Sequence, residues 1–507
     1  MKIIRLNKLI ICLYPNPKQI FDLLYMLFFV GLIIYFLFYI FNAYQWILYP
    51  YQIDFSEGFR LDRARMLSQG YDLYHDISTY PFVTAIYPPV SPLICAALVK
   101  IFGVSFATGR LVGMFSAILV GCFIFKIVQE KTKNKHIAVV SSLLFFASPY
   151  IYGSSCIFGS PNMLGTLFSW AGIYCILKYE NSKKIYLSVP FFLLAIYSLP
   201  VFIAAPAASF IYLFIRDKKL ATKIIVLYVL SGLFLFSLAN YITDGQFYLH
   251  TVRYNAQPIV TSLVLKRYIR SIGLHPILFA FAVTYIFSEW IKYEKKVSLV
   301  SIYFITAAIF VVSMGHEGAG TPSYMFELLS VSCILFGMML DKIRPAIVKN
   351  DENTVRILIA VLLILQLIIF AHAPYIADSV YSDPLTPTQT DLINGQKVSL
   401  YIKEVEGPVL SENSGFLVIN GKEVLLEPFV FRRLYNQCLW DQTKLVDDIH
   451  NQKFSLIVLR YDVNYEKESS GRLTKEINNE IRDNYYIVDK IGGGIYRGMI
   501  HIYKPRR

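Results

Sequence analysis

Apolar runs of membrane length recur along this chain, and no water-soluble fold accommodates so many of them. A helix needs about 20 consecutive apolar residues to cross the hydrocarbon core. Inside that core every backbone polar group must be satisfied internally, so helices are the economical way across. Runs near 20–41, 106–128, 137–156, 161–179, 185–198, 200–215, 221–242, 272–291, 297–314, 322–340 and 354–372 meet or approach this length. Only 16% of the 507 residues are charged, against about 25% in soluble domains. The fold class that follows is an α-helical polytopic membrane protein with about eleven spans.

The basic residues set the expected topology. Lys2, Arg5, Lys8 and Lys18 precede the first run, which is longer than a signal h-region and lacks a small-x-small cleavage site. It is read as a retained span with the N-terminus in the cytoplasm. A further apolar stretch, Pro88–Phe102, is short and opens with Tyr87-Pro88-Pro89, and proline disfavours its first helical turns. If it does not cross, Lys131, Lys133 and Lys135, then Lys178, Lys183 and Lys184, then Arg216, Lys218, Lys219 and Lys223 all fall inside. Lys292, Lys295 and Lys296, and Lys342, Arg344 and Lys349, follow the same side. If it crossed, the rule that short cytoplasmic loops carry the positive charge would be inverted throughout. Pro88–Phe102 is therefore expected to lie on the surface or re-enter. The net charge of +13 is topological and does not point to nucleic acid.

This topology places loops 42–106 and 243–271 and the tail outside the cell. Residues 1–375 form the membrane domain, and 385–507 an extracytoplasmic α/β domain beyond the turn-rich linker Ser382-Asp383-Pro384-Leu385-Thr386-Pro387. Asn420-Gly421 between apolar stretches predicts a hairpin, Phe454–Leu459 a buried strand, and 431–449 and 474–483 helices. The seven cysteines show no C-x-x-C or other metal-type spacing, and are expected to act as small buried hydrophobes. No metal or cofactor is expected.

The polar chemistry begins at Asp54-Phe55-Ser56-Glu57-Gly58. On a helix Asp54 and Glu57 share a face, and two such acids allow a general base and a group that orients it. The segment Glu57–Gln69 is amphipathic, so a plain interfacial helix with solvated Asp–Arg pairs fits the spacing too.

The pattern Asp54-x-x-Glu57-x-x-x-Leu61-x-x-Ala64-x-x-Leu67-x-x-Gly70-x-x-Leu73-Tyr74-x-Asp76 resembles the first outer loop of GT-C-fold glycosyltransferases. The similarity is to the branch of protein O-mannosyltransferases, lipid A aminoarabinose transferases and rhizobial lipopolysaccharide transferases. Tyr87-Pro88-Pro89, Gly109-Arg110-Leu111, Gly245-Gln246-Phe247-Tyr248 and Tyr324-Met325-Phe326-Glu327-Leu328 fit in order. The resemblance implies transfer of a sugar from a polyprenyl-phosphate donor to a glycan, lipid or protein acceptor on the outer face of the cell membrane. It makes Asp54 the base or acceptor organiser, with Glu57 in support. Relatives carry a second acid at the outer end of the span at 161–179, where this chain has Asn162. Asn cannot ionise, which speaks against a metal and leaves Asn162 as a substrate contact, with Tyr324.

A leaving phosphate needs cations. Arg110 and Arg253, each alone among uncharged neighbours, are the expected ligands, with Lys266, Arg267 and Arg270 nearby. His316 and Glu317 are too few for a metal site and are read as hydrogen-bonding partners of donor or acceptor. The competing functional class is a transporter or lipid-linked-sugar flippase. Transporters place ionisable groups near the bilayer midplane, whereas here they fall at span ends. A non-catalytic scaffold presenting the tail is the third reading.

Overall fold

The computed structural model describes residues 17–292, 297–315, 321–349, 353–373, 386–465, 472–492 and 499–506. Each apolar run becomes a helix or a broken helix. α1 spans Pro17–Leu48, α2 Phe55–Ser68, α3 Val90–Phe102, α4 Phe106–Thr132, α5 Lys135–Ala147 and α6 Pro161–Tyr179. Helices Ser188–Ile196, Ala204–Arg216, Lys218–Ile242, Thr261–Leu274, Pro276–Lys292, Leu299–Phe310, Phe326–Lys349 and Asn353–Ala371 complete the bundle.

Among the described residues four helices are long and apolar enough to cross a membrane unaided: Lys18–Leu48, Phe106–Thr132, Lys218–Ile242 and Thr354–Ala371. The pair Thr261–Leu274 and Pro276–Ile291, bent by 92°, makes a fifth if it is one span. The other runs of the expected eleven form shorter, interrupted or less apolar helices. The run at 137–156, for example, breaks where Pro149 follows Ser148, because proline cannot donate to the preceding turn. The stretch Pro88–Phe102, expected to lie on the surface or re-enter, forms α3. Its 13 residues reach about 20 Å at 1.5 Å per residue, short of the roughly 30 Å core. Gly103, at φ +84°, ends it in a conformation that favours glycine.

α2 departs from expectation. Its amphipathic pattern suggests one face in water, yet Glu57, Gly58, Phe59, Leu61, Asp62, Arg63 and Ala64 are all buried. The helix lies between the bundle and the C-terminal domain. Gly58 faces the chain at Ser414-Gly415 so closely that a Cβ would strike the Gly415 amide nitrogen. Asp62, which the pattern puts on the wet face, is 3% exposed and pairs with Arg65 at 2.7 Å.

The C-terminal domain carries a four-stranded sheet in the order β1-β2-β4-β3. The strands are β1 Val409–Ser411, β2 Leu456–Leu459, β3 Tyr485–Gly492 and β4 Met499–Pro505. β1 runs parallel to β2, and β2–β4 and β4–β3 are antiparallel. β2 is the strand expected at 454–459, buried at every position as an interior strand should be. The hairpin expected at Asn420-Gly421 is absent: Ser414–Ile419 is helical, and Gly421 at φ +70° follows its end. The helix expected over 431–449 is two, Pro428–Asn436 and Thr443–His450.

The domain is stapled to the loop that follows α1. Phe82 donates its N–H to Leu425 O at 2.8 Å and accepts from Glu427 N at 2.9 Å. Gln52 donates to Asn413 Oδ1 at 2.9 Å and accepts from Gly415 N at 2.7 Å. Ile77, Phe82 and Tyr254 share one buried cluster with Val430, Phe431, Leu434 and Trp440. The core of the C-terminal domain is thus partly built from membrane-domain loops.

Candidate active site

The site starts at the N-terminus of α2. Asp54 is its N-cap, accepting from Ser56 N at 2.9 Å and from Ser56 Oγ. Glu57 reciprocates, accepting from Asp54 N at 3.4 Å and Ile53 N at 2.7 Å. This is a capping box, in which two side chains reciprocally satisfy orphan N–H donors at the start of a helix. The Asp-x-x-Glu spacing therefore has a local structural cause.

Glu57 and Arg110 both leave the expected chemistry. Each side chain is fully buried, and they form a two-pronged pair at 2.7 and 3.0 Å. Phe158 N adds a further bond to Glu57 at 2.8 Å. Burial pushes the Glu57 carboxyl up, but Arg110 and the surrounding N–H donors outweigh it and hold it below the usual carboxylate range. The rest of the guanidinium donates to the carbonyls of Trp46, Tyr49 and Tyr51. All five donor positions of an arginine are so engaged. Arg110 thus ties α4 to the chain leaving α1 with every donor spent on protein groups, and Glu57 is its counter-ion.

Beside Asp54 opens a cavity of about 340 Å³. α2 supplies Phe55, Ser56, Phe59, Arg60 and Arg63, the following loop Ile86 and Tyr87, and the short helix Thr321–Tyr324 its Tyr324. The C-terminal domain supplies Glu427, Phe429, Val430 and Arg433. Asp54 itself is half-buried, next to the wall residues Phe55 and Ser56. Arg63 pairs with Glu427 at 3.0 Å, and Glu427 also accepts from Thr84 N and Oγ1 at 3.3 and 3.0 Å. Arg60 donates through Nη1 to Phe158 O at 3.2 Å, and Arg433 through Nη2 to Tyr254 O. The Nε of both arginines is buried without a partner.

A second, small pocket shares Val201 and Tyr324 with this cavity and is also lined by Asn162 and Glu327. Asn162 is 6% exposed with Nδ2 unpartnered. Glu327 accepts from Tyr303 OH at 2.6 Å. Of the expected site residues, Asn162 and Tyr324 thus line one small pocket, and Tyr324 also lines the larger cavity beside Asp54. Arg253 does not join them: it is exposed at the end of the turn Leu249–Arg253 and is absent from the cavity wall. His316 and Glu317 lie outside the described residues. Among the described residues no three His, Cys, Asp or Glu side chains gather closely enough to hold a metal ion.

Sequence reasoning missed Arg60, Arg63, Glu427 and Arg433. The first two were visible only as polar positions on an amphipathic helix. The last two lie more than 350 residues away, with no local signal linking them to α2.

Residues 87–241 match the family model described as dolichyl-phosphate-mannose-protein mannosyltransferase. No curated protein matches significantly. Among solved structures, ArnT from Cupriavidus metallidurans bound to undecaprenyl phosphate is similar over 93% of this chain and 97% of its own, at 13% identity and a TM-score of 0.59. The Archaeoglobus fulgidus oligosaccharyltransferase in complex with Zn and sulfate matches over 92% of this chain and 72% of its own, at 12% identity and a TM-score of 0.53. The mycobacterial arabinofuranosyltransferase AftD matches over 94% of this chain and 41% of its own, at 12% identity and a TM-score of 0.51. At such identity the likeness speaks for the fold. The helical bundle with its loop helix α2 and the small C-terminal sheet thus share the GT-C fold of these structures.

Proposed function

We propose that this protein transfers a sugar from a polyprenyl-phosphate donor to an acceptor hydroxyl. The observation that carries the reading is the cavity beside Asp54, lined by three arginines and a single glutamate, in a bundle with the GT-C fold. The match to the mannosyltransferase family model over 87–241 supports the same chemistry. The loop charges add the location. With the basic loops inside, the cavity and the C-terminal domain face outward.

The acceptor oxygen attacks the anomeric carbon from the side opposite the phosphate. The C–O bond to the acceptor forms, the bond from carbon to the phosphate oxygen breaks, and the electron pair leaves with the lipid phosphate. The acceptor proton passes to Asp54. Its bonds from Ser56 fall on Oδ1, which fixes the carboxylate on the helix end. Cations in the wall stabilise the charge that develops on the leaving group.

Asp54→Asn separates catalysis from structure, because Asn caps a helix as well as Asp does but cannot accept a proton. General-base contributions are roughly 100- to 10,000-fold. Transfer from a polyprenyl-phosphate sugar by the purified variant in proteoliposomes should fall by at least the lower bound, with melting temperature retained. Transfer near the parental rate would remove Asp54 from the chemistry.

A further inference from the structure

Two arginines of the cavity wall, from different domains, each leave one buried guanidinium nitrogen without a partner. Arg60 belongs to α2 in the membrane domain, and Arg433 to the helix Pro428–Asn436 of the C-terminal domain. Both line the same cavity, and in both the Nε–H is buried with no acceptor. A buried donor left unpaired costs the full desolvation of that group, about 1–3 kcal/mol and more for a charged one. Each is held in place by its other nitrogens, Arg60 on Phe158 O and Arg433 on Tyr254 O.

We infer that Arg60 and Arg433 form a two-domain clamp for the phosphate of the lipid carrier, so that the C-terminal domain supplies part of the binding site. This rests on the donor reading above. An arginine presents Nε–H and an adjacent Nη–H side by side, a fork that matches two oxygens of a phosphate.

The charge count agrees. The wall carries Arg60, Arg63 and Arg433 against Glu427, and Glu427 is taken by Arg63 at 3.0 Å. Three positive charges less one negative leave two, on Arg60 and Arg433. A sugar-phospholipid donor is a phosphodiester with one negative charge. The lipid phosphate released from it approaches two. The clamp therefore complements the leaving group better than the ground-state donor, and an interaction that strengthens along the reaction is one that raises the rate.

Glu427 is a positioning residue here. It binds Arg63 and both donors of Thr84, and its backbone N–H bonds Phe82 O. These contacts fix the start of the helix that carries Arg433 one and a half turns later. They also neutralise Arg63, so that the phosphate meets two cations rather than three.

The test uses the full chain in lipid nanodiscs, with a polyprenyl phosphate as probe and the matching polyprenol as a phosphate-free control. Arg433→Gln and Arg60→Gln should each weaken polyprenyl-phosphate binding roughly ten- to a hundredfold, the worth of a charged hydrogen bond, and leave polyprenol binding unchanged. Arg253→Gln, outside the wall, should bind like the parent. If Arg433→Gln does not fold, Arg433→Lys carries the test: it keeps a cation but loses the fork, and binding should still fall. Parental phosphate affinity in the Arg433 variant that folds overturns the clamp and leaves the donor reading standing. A parent protein that binds polyprenyl phosphate no better than polyprenol overturns the donor reading itself.

Discussion

Arg110→Met is the substitution that most cleanly separates tethering from phosphate binding. Met approximates the length of the arginine stem and brings no charge. Its effect follows from the partners it abandons. Glu57, fully buried, would lose its counter-ion at 2.7 Å, and the carbonyls of Trp46, Tyr49 and Tyr51 would lose their donors. Breaking a buried ion pair from one side costs about 3–5 kcal/mol, because the surviving charge stays in the low-dielectric interior. That is a large share of the roughly 5–15 kcal/mol by which a folded domain is stable. The variant should therefore melt several degrees lower and purify poorly, while the molecules that do fold bind polyprenyl phosphate like the parent. Adding Glu57→Gln removes the stranded charge, so the double variant should regain part of the loss. The assay is thermal unfolding in detergent beside lipid-phosphate binding normalised to folded protein. Parental melting with lost phosphate binding would refute the tether and restore Arg110 as a ligand.

Two further outcomes follow. His250 is neutral and locked, accepting from Ala85 N at 2.9 Å through Nδ1 and donating from Nε2 to His75 O at 2.8 Å; burial foremost pushes its pKa down to about 4. The unfolded chain, with an imidazole near 6.5, then binds more protons between those values. Stability should be full above about pH 6.5 and drain away as pH falls toward 4, with the slope of melting temperature against pH flattened in His250→Gln; an unchanged slope would move the titration to another group. On topology, single cysteines replacing Lys133 and Glu406, both exposed, should label from opposite sides of intact cells, Glu406 from outside, and labelling of both from one side would invert the loop assignment.

Much of the membrane domain is legible in the sequence because hydrophobicity is summed over some 20 residues and needs no partner. Breaks inside the runs were harder. Proline at 149 interrupts a helix that composition alone continues. Asp54 and Glu57 show the limit of spacing: three residues apart fits a catalytic pair and a capping box equally, and the pairing of Glu57 with Arg110, 53 residues on, has no local signal. Phe416–Ile419 is β-branched and apolar enough for a strand, but its packing against Gln52 and α2 makes it a helix, tertiary context overriding local preference. Asp62 and Arg63 looked wet because polar residues usually are. A second layer, contributed by residues 412–433, covers them. The cavity could not be read for that reason: two of its four charged wall residues, Glu427 and Arg433, are brought by a domain far away in the chain.

The bridge between Phe82 and Leu426 also bears on biogenesis. A ribosome makes the loop holding Phe82, Arg63 and Gln52 some 340 residues before it makes their partners, and synthesis proceeds at about 5–20 residues per second. For tens of seconds the nascent protein holds an apolar Phe82 and an uncompensated Arg63 with nothing to receive them. Quality-control factors on that side of the membrane would meet this exposed surface in every chain truncated before Leu426. Truncation ahead of Leu426 should thus act as loss of the whole protein, not as loss of a dispensable tail.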